Sequence, residues 1–408
     1  MSTGRYVTLI LVLGSLTALA PFSIDMYLPG FPAIAKHFNT ATSTVALTLT
    51  GFFVGISAGQ LLYGPLLDKY GRKIPLYIGL LVYIITSIGC AFAKDINMLI
   101  VMRFVQALGS CAATVAAVAM VRDLFPVKES AKVFALLVLV LGASPMLAPT
   151  IGGYITDAFG WQAVFWALAG LGVLILAASA MFLPNAHTPD KTMSLKPGPI
   201  LQSFKEVLSN PQFYTYSLTG AFAFAGLFAY VSGSPVVFMK VFNVTGKVYG
   251  WLFALLSIGF IGASQLNTLM LRKFRGQQII RFAIRFYCIA ASLFFIAAYF
   301  NLLTLPLTMI FFFLCLACVG ITNPNTASLS LAPFANNAGI ASASLGAMQM
   351  GLGSLISIFI SLFEKPSVMP VVIAMLLSAF SALLILVFGS KRIVGEAVTG
   401  DGSGVLAH

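Results

Sequence analysis

GFFVGISAGQLLYGPLLDKYGRKIPLYIGLLVYIITSIGC, residues 51–90, decides the fold. Its charges, Asp68, Lys69, Arg72 and Lys73, stand together in the middle, and an apolar run leaves on each side. A bilayer core about 30 Å thick needs about 20 mostly apolar residues per helix. The flanking runs, 43–63 and 74–93, reach that length, so the segment reads as two membrane helices joined by a tight basic turn. The same alternation fills the chain. Further runs stand at 6–28, 97–120, 131–155, 161–183, 212–235, 248–270, 279–300, 303–324, 338–363 and 367–389, which makes twelve spans.

Composition agrees. Of 408 residues, 59% are apolar and only 8% charged, against about 25% charged in a soluble domain. Mean hydropathy is +0.99. So few charges cannot cover a soluble protein of this length, and the same numbers exclude a disordered chain and a disulfide scaffold. The net charge of +12 would suit a nucleic-acid binder, but the basic residues form short groups between apolar runs, so no nucleic-acid partner is expected. Cys90, Cys111, Cys288, Cys315 and Cys318 all lie in apolar segments and read as small hydrophobes, the Cys315-x-x-Cys318 spacing included. Arg5, an apolar run and Ala18-Leu19-Ala20 resemble a signal peptide, but Pro21 follows the cleavage point and many spans follow it; the segment reads as a retained first helix.

The longest polar break, 184–211, divides the spans into two sets of six. The expected fold is therefore an all-α membrane protein of twelve transmembrane helices: a six-helix bundle over 1–183, a linker over 184–211, a second bundle over 212–390 and a tail over 391–408, arranged as a parallel repeat. Basic residues collect on the cytoplasmic side. A cytoplasmic N-terminus places Lys69, Arg72, Lys73, Arg122, Arg272, Lys273, Arg275, Lys391 and Arg392 inside, and leaves only Lys36, Lys94, Lys240, Lys247 and Lys365 outside. Both termini and the linker are expected to be cytoplasmic. Gly51, Gly55 and Gly59 make a small-residue ridge for close helix packing, and Gly346, Gly351 and Gly353 read likewise.

Charges inside a membrane are costly and mark function. Asp25 falls in the outer third of the first helix and Arg103 in the outer third of the fourth, at similar depth, where they can pair. A carboxylate near an Arg can be switched between protonated and charged forms by a change of conformation, so these two are the expected proton-coupling residues.

Gly64-x-x-x-Asp68-x-x-Gly71-Arg72-Lys73 resembles the loop motif of the major facilitator superfamily, where it implies a cytoplasmic gate. Leu271-Arg272-Lys273-Phe274-Arg275-Gly276 is a decayed echo without the acid. Arg103-Phe104-Val105-Gln106-Ala107-Leu108-Gly109 resembles the fourth-helix signature whose Arg is tied to proton transfer. Gly142, Pro145, Pro149, Gly152 and Gly153 resemble the fifth-helix antiporter signature. Ser23-Ile24-Asp25-Met26-Tyr27-Leu28-Pro29 and Tyr230-Val231-Ser232-Gly233-Ser234-Pro235 are similar to stretches of the Bcr/CflA drug-resistance subfamily. The resemblance covers roughly residues 6 to 390.

It implies a bacterial inner-membrane, multi-pass, monomeric drug:proton antiporter whose partners are a small-molecule substrate, protons and lipid. It also implies a substrate cavity, with Tyr27, Phe53, Gln106, Met146, Phe224, Tyr230, Gln265, Asn323 and Gln349 as candidates. Thr17 stands where some related pumps carry a further acid, which favours neutral substrates such as bicyclomycin or phenicols. A sugar or metabolite transporter of the same fold is the alternative, and a membrane receptor or sensor the alternative of another class. No cofactor, metal site or enzymatic activity is expected: His37, His187 and His408 lie in loops or the tail, and no nucleotide-binding loop is present.

Overall fold

The computed structural model describes residues 3–125, 127–184, 197–334 and 338–393. Among them are helices and connecting turns but no strand. The helices are α1 (Thr3–Asp25), α2 (Phe31–His37), α3 (Thr42–Tyr70), α4 (Lys73–Ala91), α5 (Ile96–Leu124), α6 (Val127–Phe159), α7 (Trp161–Phe182), α8 (Pro197–Ser209), α9 (Pro211–Pro235), α10 (Gly246–Met270), α11 (Gly276–Tyr299), α12 (Leu305–Leu331), α13 (Ala338–Ser361) and α14 (Met369–Ser390). Twelve spans among the described residues are long and apolar enough to cross a membrane. The first combines α1 and α2, and the seventh adds the π turn Val236–Val241 to α9.

Local chemistry sets the breaks. Pro29 disfavours helical geometry at Leu28, and a 3₁₀ turn over Leu28–Gly30 separates α1 from α2. Gly71 and Gly160 adopt φ of +81° and +83°, conformations open mainly to glycine, and each joins two spans in a minimal turn. Asp95 accepts from Met98 N at 2.8 Å at the start of α5, and Asn210 accepts from Gln212 N and Phe213 N at the start of α9; both are N-caps that satisfy orphan donors.

Two elements differ from the sequence expectation. The fifth span belongs to a helix reaching from Val127 to Phe159 with Pro145 and Pro149 inside it, longer than 131–155. The expected linker contains α8, because Phe204, Val207 and Leu208 recur at helical spacing; buried Val207 packs with Phe213 and Ala341. The rest of the linker, 185–196, and the tail from 394 lie outside the described residues.

The chain divides into two compact units, Met1–Leu195 with Asn243–Ala254, and Lys196–Phe242 with Leu255–His408. Inside the first, α1 packs on α5, α6 and α7, and α4 on α5 and α7. Inside the second, α9 packs on α12, α13 and α14, and α11 on α12 and α14. The pairing recurs span for span, six spans apart. The Gly51–Gly55–Gly59 ridge of α3 lies on α5: a Cβ at Gly51 would come within 2.8 Å of Ile100 O, and one at Gly55 within 2.7 Å of the Ala107 Cβ. Such ridges let backbones approach where lipid supplies no hydrophobic drive.

Candidate functional site

Arg103 projects from α5 into the first unit and is fully buried, at 0% exposure. Its Nη1 donates to Gln106 Oε1 at 2.6 Å and its Nη2 to Ser23 O at 2.8 Å. The guanidinium carbon lies 4.2 Å from the ring centroids of both Tyr27 and Phe52, contacts that are worth about 2 kcal/mol each when desolvated. Nε has no hydrogen-bond partner. Around it the polar groups are chained: Gln106 Nε2 donates to Ser87 Oγ at 2.7 Å, Ser87 Oγ to Tyr83 O at 2.6 Å, and Tyr83 OH and Ser23 Oγ share a bond of 2.7 Å. Arg103 is thus held by a carbonyl, an amide and aromatic faces, with no counter-ion among the described residues.

Asp25 is also buried, at 4% exposure. The expected Asp25–Arg103 ion pair is not formed. The reason lies in where α1 stops. A helix leaves its last carbonyls without intrahelical donors, and α1 ends at Asp25. Met26 N still reaches Phe22 O at 3.0 Å, and the next carbonyl, Ser23 O, takes the guanidinium. A cation is favoured at a helix C-terminus by the dipole as well. Beside this end runs α6. Gly152 lies so close to Met26 O that any Cβ there would overlap it. The second glycine, Gly153, faces Gly246 O, 2.7 Å from where its own Cβ would stand. Pro145 and Pro149 sit inside α6, and Gly142 is half-buried on it.

At the α3–α4 turn, Arg72 Nη1 donates to Asp68 Oδ1 at 2.5 Å and Nε to Asp123 Oδ2 at 2.7 Å. Burial works to lower the Arg72 pKa, but the bonds and charges of Asp123 and Asp68 outweigh it and the net shift is upward from the ordinary guanidinium value. This contribution to stability is present below the unfolded pKa and is lost only above the raised one, so the cation does not titrate at physiological pH. Asp123, at the end of α5, joins the motif only through the fold, and the motif's spacing does not include it. Lys73 starts α4, and a Cβ on Gly64 would meet nothing within 4 Å.

Of the cavity candidates, Tyr27, Phe53 and Gln106 are buried in the first unit, Tyr27 OH bonding Thr48 Oγ1 at 2.9 Å and Gln106 serving the Arg103 network. Met146 is half-buried on α6. In the second unit Tyr230 is buried, Phe224, Asn323 and Gln349 are half-buried, and Gln265 is exposed. Among the described residues no three His, Cys, Asp or Glu side chains group as a metal site.

A family model described as Major Facilitator Superfamily matches residues 13–359. The MFS-type transporter YdgK of Bacillus subtilis (strain 168) is 32% identical over 375 residues, 90% of this chain and 92% of the relative. A protein of Haemophilus influenzae named bicyclomycin resistance protein homolog is 29% identical over 367 residues, 90% and 92% of the two chains. The multidrug resistance protein MdtL of Escherichia fergusonii is 29% identical over 344 residues, 84% and 85%. Among solved structures, a D-xylose-proton symporter superposes with a TM-score of 0.73 over 95% of this chain and 98% of its own, at 14% identity, a likeness of fold alone.

Proposed function

The chain belongs to the Major Facilitator Superfamily as a multi-pass protein of the bacterial inner membrane, and we propose that it exports neutral drug-like molecules, of bicyclomycin or phenicol type, in exchange for protons. The observation that carries this reading is the end of α1, where buried Asp25 stands two residues beyond the carbonyl that buried Arg103 holds. The relatives named for bicyclomycin and multidrug resistance support the substrate class.

In this mechanism a protonated Asp25 leaves Arg103 on Ser23 O. Loss of the proton makes Asp25 the stronger acceptor, since charge-assisted bonds are roughly twice as strong as neutral ones. The guanidinium then changes partner, and the backbone turn at Met26 moves against Gly152. Substrate and proton thereby favour different states of one element, which is what exchange requires. One proton moving down 100 mV supplies about 2.3 kcal/mol, enough for about 50-fold accumulation. Both termini and the linker face the cytoplasm in this reading, with residues 1–183 and 212–390 as the two bundles. The Arg72–Asp68–Asp123 cluster with Gly64, Gly71 and Lys73 forms the inner gate, and half-buried Phe224, Asn323 and Gln349 of the second unit contact substrate.

A susceptibility panel in a pump-deficient bacterial host tests this, followed by uptake of each hit into inverted vesicles. Expression should lower susceptibility to chloramphenicol or bicyclomycin, and energised uptake should vanish with a protonophore. Energised accumulation of a sugar and of no drug would replace the reading with the metabolite transporter.

A further inference from the structure

We propose that Asn323 and Gln349 form a recognition site for neutral molecules that present a hydrogen-bond donor beside an acceptor, as an amide or lactam does, with Phe224 as its apolar wall. The inference deepens the export reading and rests on it for the direction of transport only.

Gln349 Nε2 on α13 donates to Asn323 Oδ1 on α12 at 2.9 Å. That bond leaves Gln349 Oε1 as an acceptor and Asn323 Nδ2 as a donor without a partner among the described residues. Both side chains are half-buried. Amide groups turned to lipid are costly, so unused donors and acceptors on a membrane helix belong where a polar ligand or water reaches them. The pair therefore keeps both donor and acceptor capacity for a ligand, on two side chains tied together by their mutual bond.

The aromatic neighbour follows from helix register. A Cβ at Gly353 of α13 would come within 2.5 Å of the Phe228 ring of α9, so the two helices meet there. As the seventh and eleventh spans they run in the same direction. One turn earlier on each stand Phe224 and Gln349, at a common level. Phe224 is half-buried and its ring leans on Phe228, with centroids 5.3 Å apart.

Charge narrows the ligand class. The six spans between 211 and 390 contain no Asp or Glu. Nothing in them offers an organic cation a counter-ion, whereas a paired donor and acceptor match a neutral amide. Hydrophobic walls with few placed polar groups are the usual make-up of such sites.

The test is equilibrium dialysis of the full chain in detergent against radiolabelled chloramphenicol, a neutral amide, and tetraphenylphosphonium, a cation with no donor or acceptor. The wild type should bind chloramphenicol, and Gln349→Leu and Asn323→Leu should each weaken that binding by about tenfold, the loss of one bond of the stronger kind. Gln349→Glu should lose chloramphenicol and gain tetraphenylphosphonium. Leu variants that elute like the wild type and bind chloramphenicol unchanged overturn the site, as does a wild type that binds only the cation. If the Leu variants do not fold, an unchanged preference in Gln349→Glu overturns it. Vesicle transport is read in parallel: chloramphenicol bound through these residues but not moved by a pH gradient refutes the antiport and leaves the site standing.

Discussion

Arg103 carries the most physical information of any residue in the chain. With no carboxylate partner among the described residues, the buried guanidinium is stabilised by a carbonyl, an amide oxygen and two ring faces polarised towards it. Lys keeps the charge and loses the fork that reaches Ser23 O and Gln106 Oε1 together. Arg103→Lys should slow proton-driven export at least ~10-fold while changing drug affinity by less than ~3-fold, the split expected when one of two charge-assisted bonds is lost. Transport rates across pH, set beside dialysis of the same protein, check it; a Lys variant with wild-type rates and pH profile shows that a point charge suffices. The sequence revealed Arg103 and Asp25 because charges are rare in apolar runs. It did not reveal Arg103's partner, since a backbone carbonyl has no letter of its own and depends on where α1 stops. Asp123 is not legible for a different reason: it lies 51 residues from Arg72 in the chain, and only the fold brings the two together.

At the scale of elements, the long apolar runs were legible because twenty residues of one character leave little else to fold into. Alpha-helical α8 was not, because thirteen residues in a proline-rich break make a weak pattern and Val207 is buried by residues far along the chain. The Pro/Gly stretch of α6 was legible as a pattern and opaque in its use. Its prolines stay within a continuous helix, and Gly152 serves to admit the Met26 carbonyl. Gly152→Leu therefore should force α6 away from the end of α1 and reduce export at least ~10-fold, while the protein still inserts, since overpacking of this kind costs about 1–3 kcal/mol or more. Gly170→Ala on α7 is the control, because its added Cβ meets nothing within 4 Å. Equal vesicle export by both variants would remove the α1–α6 contact from the mechanism.

For the whole molecule, the recurring pairs α1 with α5, α6 and α7, and α9 with α12, α13 and α14, describe two copies of one plan that have diverged in charge. The first unit holds Asp25 and Arg103 within its spans; the second answers Arg103 with uncharged Phe312, the eighth residue of α12 as Arg103 is the eighth of α5. In the proposed mechanism proton handling falls to the first unit and neutral recognition to the second. In that mechanism exchange depends on buried Asp25. The direct measurement is proton flux during chloramphenicol transport in proteoliposomes under an imposed pH gradient, for the wild type and for Asp25→Asn. The wild type should move protons opposite to drug, and the Asn variant should bind chloramphenicol but transport it without response to the gradient. An Asn variant that moves drug and protons as the wild type does, or a wild type whose drug transport carries no proton flux, would contradict the mechanism.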